Sequence, residues 1–221
     1  MKKLGAFLVG LGLVAGTVFA AATNTATSVN IVGFNNITCL RGKAVLVNTA
    51  FKNIGGSDLK SSQVFGNQLP LGTSVYAFDP TIPGYIADNC EEGGWTSFIT
   101  FRGNMGFWIV VDSGADSNTY SVALSGEVPL NLYDTNTVYN GVTMMGYPYT
   151  ASVAWTNTTL AKNAQLGDSL YIYNPTNGYA SYNMEEGGWS DPSLVINPGV
   201  GFWFQTASSM YTNVEARPYN P

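Results

Sequence analysis

The sequence predicts an all-β protein made of two tandem, pseudo-repeated units of about 95 residues, each a β-sandwich or a barrel-like body. Three observations carry this. Blocks of sequence recur in the same order at an offset of 94 to 95 residues. Aromatic and β-branched runs are punctuated by turn residues at roughly 8 to 12-residue spacing. The composition agrees, with 13% aromatic residues and 25 glycines in a chain of 221.

The repeat decides the organisation, because self-similarity at a fixed period reports the architecture before any single element does. Leu71-Gly72-Thr73-Ser74-Val75-Tyr76-Ala77-Phe78-Asp79-Pro80 matches Leu166-Gly167-Asp168-Ser169-Leu170-Tyr171-Ile172-Tyr173-Asn174-Pro175. Gly84-Tyr85 matches Gly178-Tyr179, and Glu91-Glu92-Gly93-Gly94-Trp95 recurs unchanged as Glu185-Glu186-Gly187-Gly188-Trp189. Gly103-Asn104-Met105-Gly106-Phe107-Trp108 lines up with Pro198-Gly199-Val200-Gly201-Phe202-Trp203. The chain then divides into a leader (residues 1–22), a first unit with a leading strand (23–126) and a second unit (127–221).

The leader comes first. Met1-Lys2-Lys3 is a positive start, Leu4 to Val18 is an uncharged apolar run, and Ala20-Ala21-Ala22 supplies small residues for cleavage. That is the pattern of a secretory signal peptide. The alternative, an uncleaved anchor, meets the difficulty that the run falls short of the roughly 20 residues a bilayer needs. The expected location is secreted or cell surface, with no membrane span after signal removal.

Ser28-Val29-Asn30-Ile31-Val32-Gly33 is a leading strand that resembles Ser121-Val122-Ala123-Leu124-Ser125-Gly126, and Asn213-Val214-Glu215-Ala216 reads as a worn third copy. Asp58 to Phe65 allows one or two helical turns with Asp58 as cap, and Thr156 to Ala164 is its weaker counterpart. Val75–Phe78 and Leu170–Tyr173 are strands closed by Asp-Pro and Asn-Pro, entering turns that end at Gly84 and Gly178. Gly93-Gly94 and Gly187-Gly188 mark a second reversal before each tryptophan. Phe107-Trp108-Ile109-Val110-Val111 is a nearly continuous apolar run, as in a strand covered on both faces.

Charge and residue counts narrow the function. Only 10% of residues are charged, there is no histidine, and the formal net charge is −5. Loss of Lys2 and Lys3 makes the mature chain more acidic still, so nucleic acid is not an expected partner. Without histidine there is no Ser-His-Asp triad, no Cys-His pair and no imidazole metal ligand. Two cysteines cannot form a zinc tetrad. Cys39 and Cys90 either pair in an oxidising compartment, closing a loop worth roughly 4 kcal/mol, or remain two separate buried thiols. No glycine-rich phosphate loop leads into a helix, so no nucleotide and no other cofactor is expected.

Three constellations remain. Glu91-Glu92 and Glu185-Glu186 invite a glycosidase reading, with Glu92 and Glu186 facing each other across a sugar. Adjacent strand residues point to opposite faces, however, and both pairs abut turn glycines. Calcium is the metal most open to an oxygen-only ligand set of Asp79, Asp88, Asp112, Asp116 and the glutamates, but no D-x-D-x-D-G loop is present. Aromatic residues recur in both units: Tyr76, Phe78, Tyr85, Trp95 and Trp108 reappear as Tyr171, Tyr173, Tyr179, Trp189 and Trp203. Rings on one strand face either fill a small core or form a stacking surface. Trp95 and Trp189, beside turn glycines, are the rings expected to be exposed, with Tyr85 and Tyr179 as neighbouring contacts.

The ordered set formed by the aromatic hairpin run, G-Y, G-W and the closing G-x-G-F-W resembles repeats of secreted bacterial β-proteins of largely uncharacterised role. Ile31-Val32-Gly33-Phe34 echoes their lead and Pro198 to Trp203 their close, whereas Arg102-Gly103-Asn104-Met105-Gly106 lacks the proline. The resemblance implies export and a β-repeat fold, and brings no catalytic residues with it.

The leading expectation is a non-enzymatic structural or interaction protein, a surface, matrix or fibre subunit that self-associates through β-edges, with Ser28 to Thr38 as the pairing strand. The alternative is a carbohydrate-binding module stacking on polysaccharide through Trp95 and Trp189. A hydrolase using Glu92 and Glu186 ranks third.

Overall fold

The computed structural model describes residues 31–82 and 84–220. The signal-peptide expectation for residues 1–22, and residues 28–30 of the leading strand, lie outside them.

Alternation of buried and exposed positions writes most of the chain as strands. The first half contains Val32–Leu40 (β1), Ala44–Asn48 (β2), Leu59–Lys60 (β3), Ser74–Asp79 (β4), Gly84–Glu91 (β5), Gly94–Trp95 (β6), Thr100–Phe101 (β7), Gly106–Val110 (β8) and Thr119–Glu127 (β9). The second half contains Tyr133–Val138 (β10), Gly141–Gly146 (β11), Val153–Ala154 (β12), Ser169–Asn174 (β13), Gly178–Glu185 (β14), Gly188–Trp189 (β15), Val195–Ile196 (β16), Gly201–Thr206 (β17) and Tyr211–Ala216 (β18). Two short helices, Ser61–Phe65 (α1) and Thr159–Asn163 (α2), interrupt them. The protein is all-β, and pairings between these strands are antiparallel.

Two five-stranded sheets have the same order of strands: β2-β8-β4-β5-β6 and β11-β17-β13-β14-β15. Two long ribbons accompany them, β1–β9 and β10–β18. The leading strand is not a spare edge, as the sequence suggested. It pairs within its own chain from Val32↔Glu127 to Leu40↔Thr119. Gln68 also engages β9: its Oε1 accepts the Ala123 N–H at 2.7 Å and its Nε2 donates to the Ala123 carbonyl at 3.3 Å.

Each sheet turns one face to its own core. On β4, Val75 and Ala77 are buried while Tyr76 and Phe78 point the other way. On β8, Phe107 and Ile109 are buried and Trp108 and Val110 lie on the opposite face. The first core is built on Phe65, Phe101 and Phe107, packed edge to face at 4.6 to 6.1 Å. The second is built on Trp155, Trp189, Phe202 and Phe204. Asp58 does not cap α1. It pairs with Lys52 at 2.9 Å, and Gln63 instead reaches back to the Lys60 N–H at 2.9 Å. Thr158 caps α2, its hydroxyl accepting the Ala161 N–H at 3.1 Å.

The sheets meet through backbone. Asn48 N–H donates to Gly199 at 3.0 Å and Gly146 N–H to Asn104 at 3.0 Å, while the Asn48 side chain braces its own half through Nδ2 to Gly103 at 2.7 Å. This explains the second glycine of the closing motif. A Cβ on Gly106 would lie 2.5 Å from the Met145 carbonyl oxygen, and one on Gly201 2.4 Å from that of Val47. Only glycine permits that approach on both sides of the junction.

Candidate functional site

The two tryptophans expected on the surface are not platforms. After each Gly-Gly reversal the chain folds back over the short helix of its own half. Trp189 is 8% exposed, packs on Trp155 at 5.1 Å and donates its indole N–H to Ala161 at 3.1 Å. Trp95 is half-buried, stacks against Phe65 at 4.9 Å and donates to Gly66 at 3.0 Å. Both close the cores, with the indole N–H satisfied by a helix-end carbonyl.

The disulfide expectation is corrected too. Cys39 and Cys90 are free, buried thiols. Cys39 faces the first core from β1, where burial pushes its thiol up to about 12, and burial raises Cys90 as well. Both stay protonated at neutral pH and behave as small apolar side chains.

Glu91, Glu92, Glu185 and Glu186 are exposed at the β5–β6 and β14–β15 hairpins. The open groove beside Glu185 and Glu186 is lined by Leu166, Gly167 and Asn183 and includes neither Glu91 nor Glu92. That groove holds glutamates of one half alone. Among the described residues no three acidic, cysteine or histidine side chains gather to hold a metal. Asp88 is fully buried, and its carboxylate accepts the Phe98 and Ile99 N–H groups at 2.5 and 3.0 Å, so it organises the segment after β6. Asp79 serves its turn: its Oδ1 accepts the N–H and hydroxyl of Thr81, and the hydroxyl and the N–H hold its carboxyl below the usual range.

What converges is a belt of aromatic rings on the sheet faces away from the cores. Tyr85 and Tyr179 are 52% and 54% exposed. Tyr85 packs edge-on against Phe78 at 5.6 Å, and Tyr179 against Tyr173 at 5.1 Å. The rings then cross between sheets: Phe78 meets Trp203 at 5.1 Å and Trp108 meets Tyr173 at 4.9 Å. Burial raises the Tyr179 hydroxyl above its ordinary value, against a smaller lowering by its hydrogen bond with Trp203.

Between these rings runs an open groove of about 360 Å3, lined by Ala44, Tyr76, Tyr85, Trp108, Val110 and Tyr173. No lining residue carries a charge at neutral pH. The surface therefore offers ring faces, ring edges and phenol hydroxyls. It suits a neutral ligand with a flat apolar face and hydroxyls at its rim. Tyr85 and Tyr179 were marked by the sequence; the cross-sheet roles of Trp108, Tyr173, Phe78 and Trp203 were not. Their signal was alternation, since each sits one residue from a side chain that packs in or against a core.

Comparison with family models, with curated proteins and with solved structures finds no match. The functional reading therefore rests on this geometry.

Proposed function

We propose that the chain works outside the cell as a non-enzymatic carbohydrate-binding protein, with the aromatic belt as its stacking face for a neutral polysaccharide. The observation that carries this is the groove at Tyr76, Tyr85, Trp108 and Tyr173, apolar, uncharged and open along one side. Sugar rings have an apolar face and a hydroxyl edge, which match tyrosine and tryptophan faces bordered by phenol groups. The site differs from the one the sequence suggested, because Trp95 and Trp189 serve the cores.

The test is retention of the mature chain on a panel of neutral and acidic polysaccharides, beside a Tyr85→Ala/Tyr179→Ala variant. Retention of the parent on a neutral polymer, lost in the variant, supports the proposal. Failure of the parent to bind any polymer sinks it.

Self-assembly is the second reading, favoured by one observation. Ile31, Val32 and Phe34 are 47%, 60% and 71% exposed and form an apolar stretch at the start of β1. Contiguous exposed apolar surface marks contacts with other molecules. Light scattering of the parent and of a Val32→Thr/Phe34→Thr variant separates this reading, since assembly through the stretch predicts a smaller particle in the variant.

A further inference from the structure

The two ribbons differ in the side chains they turn inward. On β1–β9, Ile37, Cys39, Val122 and Leu124 join the first core. On β10–β18 the corresponding face is apolar at one end, where Val138 stands opposite Tyr211, and polar along the rest: Asp134 stands opposite Glu215 and Asn136 opposite Asn213. These four polar residues, with Trp155 and Thr158, line a narrow cavity of about 20 Å3.

Two atoms at this cavity lack partners. Among the described residues no protein group pairs with Trp155 Nε1 or Asn213 Oδ1. Both residues are deeply buried, at 1% and 4% exposure. Buried polar groups in folded proteins are almost always paired, with protein or with ordered water. The carboxylates are already engaged, Glu215 with the Thr159 N–H at 2.9 Å and Asp134 with Asn104 Nδ2. The residues that carry this unpaired donor and this unpaired acceptor therefore line the same space. A cavity of roughly 10 to 15 Å3 or more accepts one water when at least two polar groups face it. A bare cation would satisfy Asn213 but would meet the indole proton of Trp155.

We infer that an ordered water molecule is a built part of this cavity, accepting from Trp155 Nε1–H and donating to Asn213 Oδ1. Its second hydrogen is available to the carboxylates of Asp134 and Glu215. Burial raises both carboxyls, so each gains from a donor that hydrates it. The water then joins the polar end of the last ribbon to the second core, beside the apolar packing of Val138 and Tyr211.

A crystal structure of the mature chain, with a second crystal soaked in manganese, tests this. The expected result is one solvent peak about 2.7 to 3.2 Å from both atoms, without anomalous signal after the soak. No peak overturns the proposal, and so does an anomalous peak with oxygen ligands near 2.0 to 2.6 Å. Thermal melts of Trp155→Phe, Asn213→Leu and the double variant give an independent reading. A shared water predicts that the double variant loses less than the two single losses added together; strict additivity counts against it.

Discussion

The indole of Trp108 meets the ring of Tyr173 edge to face, 4.9 Å between centres and 80° between planes. The contact joins β8 of one sheet to β13 of the other, and Phe78 with Trp203 makes its counterpart at 5.1 Å and 68°. Both pairs hold the sheets against each other, and Trp108 and Tyr173 also form the floor of the groove. The outer rings, Tyr85 and Tyr179, are half in solvent and have less to hold.

That division predicts a separation of stability from binding. Tyr85→Ala and Tyr179→Ala should each leave the thermal midpoint almost unchanged while weakening polysaccharide retention about tenfold, or ~1.4 kcal/mol. Trp108→Ala should lower stability by about 2 to 4 kcal/mol, because it removes a large, mostly covered ring at the junction. Chemical denaturation beside affinity electrophoresis measures both quantities. Equal stability losses at Tyr85 and Trp108 would show that the outer rings are structural.

The backbone junction predicts a sharper effect at two glycines. Gly106→Ala and Gly201→Ala each drive a methyl group into a carbonyl oxygen of the other sheet. Each should cost at least ~2 kcal/mol, the range of overpacking with backbone shift. Gly93→Ala is the control, since a Cβ there meets nothing within 4 Å. It should stay within about 0.5 kcal/mol of the parent in urea denaturation.

Thiol chemistry follows from burial. With Cys39 pushed to about 12 and Cys90 raised, neither offers a thiolate at pH 8. A maleimide should label neither residue in the native protein and both in denaturant without reductant. A structural disulfide would leave none to label. Cys39→Ser should lower stability by about 1 to 3 kcal/mol, by burying a hydroxyl among apolar side chains.

Local signals in the sequence reported strands and turns well, because alternation and turn chemistry act over a few residues. Val75 and Tyr76 were separable onto opposite faces in this way. Which neighbour would lie beside the Tyr76 face was not legible, since it depends on Trp108 meeting Tyr173 far along the chain. The same limit explains Trp95 and Trp189. Glycines beside them indicated a turn, but the carbonyls that receive their indole N–H groups belong to Gly66 and Ala161. Cysteine spacing was equally silent on register, which places Cys39 opposite Tyr120 and Cys90 opposite Trp95. The second glycine of the closing motif was visible as a repeat, but its reason lay in the other sheet.

Stability should pass through a maximum in mild acid, and the sign follows from two opposed sets of carboxyls. Burial raises Asp134 and Glu215 above their ordinary 3.8 and 4.5. Through that window the folded state holds protons more tightly than the unfolded state, so stability falls as pH rises from about 4 toward neutrality. Asp79 and Asp191 are lowered below 3.8 by hydrogen bonds from Thr81 and Ser193. Their contribution is present above 3.8 and is lost as pH falls through their folded values. Glu215→Gln keeps an acceptor for the Thr159 N–H and removes the charge, so its midpoint should decline less than the parent's between pH 4 and 7. Glu92→Gln, exposed at its hairpin, controls for the general effect of net charge. Thermal melts across that range decide the matter: equal flattening in both variants would mean that overall charge, and not the buried ribbon carboxyls, sets the slope.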